Sequence, residues 1–258
     1  MSETATPRLN LRFPQRQSDD IEQDVECVEV ELDGEWRRIR FHDYHDIYDI
    51  PGLYEQLFYD ELECDSPKVV CEALADQLRV RDLEPGDVRV LDVGAGNGMA
   101  GERLRAIGVD TIVGVDIIQE AADAAERDRP GAYDDYLVAD LTALTPEQDA
   151  ALADRRFNCL VTVAALGFGD MPPDAFAVAF NHVARGGLIA RTIKEDFLAA
   201  GDDTGFAGLI RRSISDGAID VLSQRRYRHR LSVTGEELFY VAVVAEKVRD
   251  VPVRSSMR

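Results

Sequence analysis

The chain of 258 residues carries 29 Lys and Arg against 49 Asp and Glu, a formal charge of −20, with 45% hydrophobic and 30% charged residues. That length suits one large domain or a domain with an appendage, and the composition is neither disordered nor fibrous. So anionic a surface disfavours nucleic acid phosphates and anionic lipid as partners, and the longest apolar run, residues 159–166, falls far short of the roughly 20 residues that cross a bilayer.

The charge is uneven. Residues 19–66 hold 17 acids and 3 bases, net −14, whereas residues 205–258 hold 10 bases and 6 acids, net +4. The opening MSETATPRLN has no apolar segment behind a basic start, so no secretory signal is expected. Cysteines at 27, 64, 71 and 159 lack CxxC or zinc spacing, which points to reduced thiols in a cytoplasmic protein and to no metal site.

In chain order, polar residues 1–18 with Pro7 and Pro14 read as a flexible tail. Two partly alternating runs, 25–32 and 35–41, flank Asp33-Gly34 and predict a hairpin. Residues 51–64 and 67–79 then look helical; Ser66 can cap the second, Pro67 suits its first turn, and Val70, Leu74 and Leu78 share a face. Residues 19–80 are therefore expected to form a hairpin and helical cap, with Pro85-Gly86 closing the segment. From Val88 the pattern alternates: short apolar strands at 88–93, 111–115, 135–138, 158–164 and 188–193, with amphipathic helices near 99–107, 118–127, 146–153, 173–184 and 205–216. Such a series implies a mostly parallel sheet covered on both faces. Strands at 227–233 and 238–247, joined by Thr234–Glu237, must form an antiparallel hairpin at the sheet's end. The expected core domain spans 81–248, with 249–258 a second flexible tail.

The first of these strands carries the chemistry. Val90-Leu91-Asp92-Val93-Gly94-Ala95-Gly96-Asn97-Gly98 is a buried strand entering a glycine-rich turn and then a helix, where backbone and free N–H groups can approach a ligand closely. The second strand ends in Asp116, placed to accept both hydroxyls of a ribose, and the third ends in Asp140. In open α/β sheets ligands bind outside the carboxyl edge at the switch point of strand order, so three acids beside a glycine turn describe a nucleoside-sized pocket.

These residues resemble the class I S-adenosylmethionine-dependent methyltransferases over about residues 44–247. LDVGAGNG looks like that family's first motif, with Gly94, Ala95, Gly96 and Gly98 in the turn. The resemblance implies a doubly wound, seven-stranded Rossmann-like sheet with a C-terminal antiparallel hairpin. It also implies S-adenosylmethionine as cofactor, with S-adenosylhomocysteine as product. By it, the turn backbone lies against the methionine part, Asp92 orients the amino group, Asp116 binds the ribose with Ile117 against adenine, and Asp140 accepts from the adenine amine beside Leu141. The fourth strand leads through Val163 into the acceptor pocket, and Gly186-Gly187 matches the turn before the fifth. TVAALGFGDMPPDAF is particularly similar to a small methyltransferase-like subgroup reading VGALS-G-VP, which carries Tyr-acid dipeptides ahead of the domain. Tyr48-Asp49 and Tyr54-Glu55 are the equivalents here, and they would close over the cofactor. No Asn/Asp-Pro-Pro-Tyr/Phe follows the fourth strand, which argues against amino-directed DNA methylation.

A second reading competes. Gly96–Gly101 also satisfies GxGxxG and could serve an NAD(P)-dependent oxidoreductase, although that register starts two residues late. A third is a non-catalytic domain that only binds cofactor or partner. Methyl transfer needs a base only where the acceptor must lose a proton, and the weak candidates are Asp43 and His45 in His42-Asp43-Tyr44-His45-Asp46. Arg226, Arg228 and Arg230 share a strand face. They either protect a solvated edge or dock on the acidic 19–66 segment, within the chain or across a homodimer; three arginines would also depress the basicity of His229. The sequence is thus expected to encode a cytoplasmic enzyme methylating a small-molecule acceptor, with no nucleic acid or membrane partner.

Overall fold

Asp33 and Gly34 turn the chain with φ of 52° and 83°, the paired left-handed conformation that a two-residue hairpin needs. The computed structural model describes residues 8–14, 25–166, 171–195 and 205–253. It divides into two compact units, one running to Asp65 and including Arg228–Phe239, the other Ser66–Tyr227 and from Tyr240 onward.

In the first unit β1 (Leu11–Arg12), β2 (Cys27–Leu32) and β3 (Glu35–Arg40) form an antiparallel sheet. Val28, Val30, Ile39 and Phe41 of this sheet segment pack with Ile47, Leu53 and Leu57 into one apolar cluster. The expected helix over 51–64 is α2 (Leu53–Glu55) running into a π-helical turn at Gln56–Glu61, and a separate helix, α1 (Tyr44–Asp49), precedes it across Pro51-Gly52. Ile50 is extended and Gly52 left-handed, so the backbone leaves the helical conformation between α1 and α2.

Part of the expected N-terminal tail is fixed. Leu11 and Arg12 pair with Val30 and Glu29, and the Gln56 amide brackets Leu9, accepting from its N–H at 2.7 Å and donating to its carbonyl at 2.8 Å. The rest of that expected tail, 1–7 and 15–18, lies outside the described residues, as does 254–258 of the C-terminal one. Within the latter, Val251 is buried, its N–H donating to Asn181 Oδ1 at 3.0 Å.

The arginine question resolves residue by residue. Arg226 pairs at the surface with Glu195 at 2.7 Å, and Arg228 pairs with Glu63 at 2.7 Å. Arg230 is bound to Glu26, their side chains 7% and 1% exposed, and Glu26 also accepts from Val233 N–H at 2.8 Å. Strand and acidic segment therefore meet inside this unit. His229 is held well below its ordinary pKa, but chiefly by burial, with Arg230 a lesser cause.

In the second unit β4 (Arg89–Val93), β5 (Thr111–Asp116), β6 (Asp135–Val138), β7 (Cys159–Thr162) and β8 (Leu188–Lys194) run parallel. β9 (Ile219–Leu231) and β10 (Glu237–Lys247) complete the order β6-β5-β4-β7-β8-β10-β9, with β10 antiparallel to β8. β9 begins eight residues before the expected Tyr227. Its first half reads Asp-Val-Leu-Ser-Gln-Arg, an edge strand whose polar side faces water and hides the apolar period.

Among the described residues six helices flank the sheet: α3 (Ser66–Val80), α4 (Met99–Ala106), α5 (Gln119–Asp128), α6 (Pro146–Asp154), α7 (Pro173–Asn181) and α8 (Gly205–Ser215). Alternate strand residues enter separate cores. Leu91, Leu160 and Ile189 join Phe176 and Phe180 of α7, while Val90, Val161 and Ala190 join Val70, Leu74 and Leu78 of α3. That burial assigns α3 to the sheet, so the unit boundary falls at Asp65 rather than after residue 80. Lys247 ends β10 by donating to the carbonyls of Phe180, Asn181 and Val183 at 2.8, 3.1 and 2.6 Å, closing the C-terminus of α7.

The buried Glu26–Arg230 pair makes a clear expectation. Glu26→Ala strands a buried guanidinium and lowers stability by about 3–5 kcal/mol in urea titration. Arg226→Ala, at an exposed pair, changes it by less than about 1 kcal/mol.

Candidate functional site

The chain leaves β4, lays down β5 and β6 on one side, then returns to place β7 on the other. The switch point therefore lies at the carboxyl ends of β4 and β7. The glycine turn sits there. Gly94 has φ of 69°, and a Cβ on it would stand 2.6 Å from the Ala165 Cβ, so only glycine lets the segment after β7 approach. Gly94 and Ala95 both donate to the Val115 carbonyl, at 2.9 and 3.2 Å, which fixes the turn against β5.

Asp92 is 1% exposed at the end of β4. Its Oδ2 accepts from the Tyr133 hydroxyl at 2.8 Å, and its Oδ1 is buried without a partner among the described residues. Burial pushes this carboxyl up to about 7; the Tyr133 bond pulls the other way and the Asp116 charge adds to the rise.

Asp116 ends β5 half-buried and points back at the turn. Its Oδ2 accepts from Gly96 N–H at 2.9 Å, and its Oδ1 from the N–H groups of Ile117 and Ile118 at 2.8 and 3.3 Å. Ile117 beside it is a large apolar side chain 61% exposed. Asp140 is exposed after β6, where its Oδ1 accepts from Thr142 N–H and hydroxyl at 2.8 and 2.7 Å, an Asx turn. Leu141 is buried in the core on the α7 face. Val163 is half-buried just past β7 and packs toward the α3 face. Ala164 follows in a left-handed conformation with φ of 54°, its N–H held by Thr192 Oγ1 at 2.8 Å. For a residue with a Cβ that conformation is strained.

Asp92, Gly94, Ala95, Gly96, Gly98 and Asp116 thus converge. Tyr48, Tyr54, Asp43 and His45 belong to the first unit. There Tyr44, Tyr48, Tyr54 and Phe58 form a row of rings with centroids 5.9, 5.1 and 4.8 Å apart. Asp43 is held by Arg40 at 2.6 Å, which keeps its carboxyl below the usual range, and His45 is exposed on α1.

Two site residues escape the sequence reading. Tyr133, between α5 and β6, bonds Asp92 and stands 3.3 Å from the Ala95 carbonyl; Tyr136 on β6 donates to the Gly96 carbonyl at 2.8 Å. Their rings meet edge to face at 5.3 Å. Each lies over a glycine. A Cβ on Gly101 would be 2.7 Å from the Tyr133 ring, and one on Gly114 would be 3.0 Å from that of Tyr136. A glycine in mid-helix and another in mid-strand are costly unless something packs there, and that was the available signal. Gly101 consequently has a reason of its own, a seat for Tyr133, that a dinucleotide fingerprint does not supply.

Residues 91–190 match the family model described as a methyltransferase domain. Those residues form a methyltransferase domain that carries the glycine turn, Asp116 and Asp140. The methyltransferase domain shares its fold with an S-adenosylmethionine-dependent methyltransferase from Clostridium acetobutylicum, at 13% identity, TM-score 0.52, and 76% and 97% of the two chains. The magnesium protoporphyrin IX methyltransferase of Synechocystis with bound S-adenosylmethionine aligns at 14% identity, TM-score 0.46, over 70% and 79%. No curated protein matches by sequence. The residues present fit S-adenosylmethionine as cofactor: an orphaned buried carboxylate oxygen, a turn stripped of side chains, a second carboxylate and an exposed apolar side chain lie together.

The raised Asp92 carboxyl has a consequence for stability. The folded protein holds this proton more tightly than the unfolded chain, so the cost of Asp92 is absent below about pH 4, grows as pH rises, and is complete above about 7. Asp92→Asn lacks it. Its stability relative to wild type, measured by urea unfolding, should therefore improve by on the order of 3 kcal/mol between pH 5 and pH 8.

Proposed function

We propose that the enzyme transfers a methyl group from S-adenosylmethionine to a small-molecule acceptor by direct displacement, within a pocket at the carboxyl ends of β4 and β7. The observation that carries this reading is the buried Asp92 carboxylate, one oxygen unpaired, beside the Asp116 carboxylate and the glycine turn. The bound cofactor supplies an electrophilic methyl on a sulfonium.

The residues do the rest by position. Asp92 Oδ1 accepts from the cofactor's amino group, a partner that relieves its unmet hydrogen bond. Asp116, aligned by three backbone N–H groups, accepts from the ribose hydroxyls, and Ile117 covers one adenine face. Asp140 stands at the third strand end toward the adenine amine, its carboxylate oriented by Thr142. Gly94, Ala95, Gly96 and Gly98 keep side chains away from the methionine part. Val163 begins the acceptor side. The net charge supports a neutral or cationic acceptor, since a polyanion would meet repulsion at every approach.

Two measurements test the reading. S-adenosylhomocysteine should raise the thermal midpoint, by about 2.7 kcal/mol of added stability at 100 times its Kd, while NAD at the same concentration leaves it unchanged. A shift with NAD alone would establish the oxidoreductase instead. Asp116→Ala should keep the fold, as judged by circular dichroism, and weaken S-adenosylhomocysteine about 100-fold, the loss of two charge-assisted hydrogen bonds. Wild-type affinity in that folded variant refutes the assignment.

A further inference from the structure

We propose that Tyr133 is a positioning residue for the cofactor: its hydroxyl, set between the Asp92 carboxylate and the Ala95 carbonyl, ties the carboxylate and the glycine turn into one rigid grip. The proposal rests on the reading of Asp92 as the partner of the cofactor's amino group.

The geometry is specific. Among the described residues, Tyr133 is the partner of Asp92 Oδ2, at 2.8 Å, and binding there leaves Oδ1 for a ligand. Gly101 is emptied to seat the ring, and Arg129, in the turn before Tyr133, donates to the Asn97 carbonyl at 3.0 Å. Tyr136 holds the next carbonyl, that of Gly96, yet makes no bond to Asp92. One tyrosine thus acts on turn and charge together, the other on the turn.

The difference is readable as pH dependence. The groups facing Asp92 are Asp116 from β5, Tyr133, Tyr136 from β6, the Cys159 thiol from β7 and the Cys71 thiol from α3. Burial holds both thiols and both phenols above their ordinary values, so they stay neutral through the physiological range. Asp92 therefore titrates beside the Asp116 carboxylate, which raises it, and the donor Tyr133, which lowers it. Only its ionised form pairs with an ammonium, so cofactor affinity should climb as pH rises toward 7 and then level off.

The test is calorimetric binding of S-adenosylhomocysteine from pH 5.5 to 8.5. Tyr133→Phe should bind roughly tenfold more weakly at pH 7, move the midpoint up by about one unit and regain most of its affinity at pH 8.5. Tyr136→Phe should lose affinity equally at every pH with the midpoint unmoved. Asp92→Asn should show a flat profile, and adding Tyr133→Phe to it should cost a pH-independent amount no larger than Tyr136→Phe costs, because the part that Tyr133 plays through Asp92 is already gone and only its hold on the turn remains. A wild-type profile that titrates while Tyr133→Phe keeps the same midpoint overturns the proposal, as does a Tyr136→Phe midpoint that moves equally. A flat wild-type profile with tight binding overturns instead the underlying assignment of Asp92. Should Tyr133→Phe fail to fold, 3-fluorotyrosine at position 133 is a stronger donor of nearly the same size. It must lower the midpoint, and an unmoved or raised one is fatal.

Discussion

A carboxylate sits at the end of the central strand, out of water, with one hydrogen bond to share between two oxygens. Burying such a charge is among the costlier things a fold can do, and a protein usually neutralises or pairs it. Here the surroundings are arranged around the cost. Tyr133 supplies the one donor, Gly101 gives up its side chain to admit that ring, and Tyr136 and Gly114 repeat the arrangement one strand away. Asp116 adds a second negative charge close by, which makes matters worse for the free protein. Under the proposed function the two carboxylates form a paired receptor for a ligand bringing an ammonium and a diol, and local instability would be exchanged for affinity.

The glycine turn is similarly over-determined. Val115 fixes it from β5, the two tyrosines hold its carbonyls and Asp116 holds its Gly96 amide. Rigidity of this kind lowers the conformational cost of gripping a ligand, since little remains to be ordered on binding. The segment past β7 differs in kind: there the chain passes through a strained Ala164 pinned by one threonine hydroxyl. Strain at a non-glycine residue persists only where its surroundings impose it, and such residues concentrate where substrates are handled.

The sheet from Val88 onward was legible because each of its central strands is buried on both faces and reads as an apolar run, with helices of clear period between. Asp92, Gly94 and Asp116 were legible because a strand end followed by glycines has few other uses. Tyr133 and Tyr136 were not, since aromatics beside a strand look like core. Their trace lay in the glycines opposite, one of which was taken into a competing GxGxxG pattern. The break between α1 and α2 was half visible in Pro51-Gly52, but a π-helical turn has no compositional mark. The start of β9 was hidden because an edge strand alternates with water rather than with core. Leu11 and Val251 were assigned to tails since their partners, Val30 and Asn181, are remote in sequence.

That remoteness has its largest expression in Glu26 and Arg230, which are 204 positions apart. The unit they hold together is discontinuous: its three-stranded sheet is made well before the strand segments at Arg228–Phe239 that complete it. At ordinary elongation rates of ~5–20 residues per second the first part waits roughly 10–40 s for its partner. The apolar face of the sheet is covered early, by Ile47, Leu53 and Leu57, but Glu26 meets its guanidinium only once Arg230 is made. The density of acids in the same segment, net −14 over residues 19–66, keeps such chains apart by mutual repulsion until Arg230 emerges. The charge that looks like a surface property of the finished enzyme is thus also a property of its order of assembly.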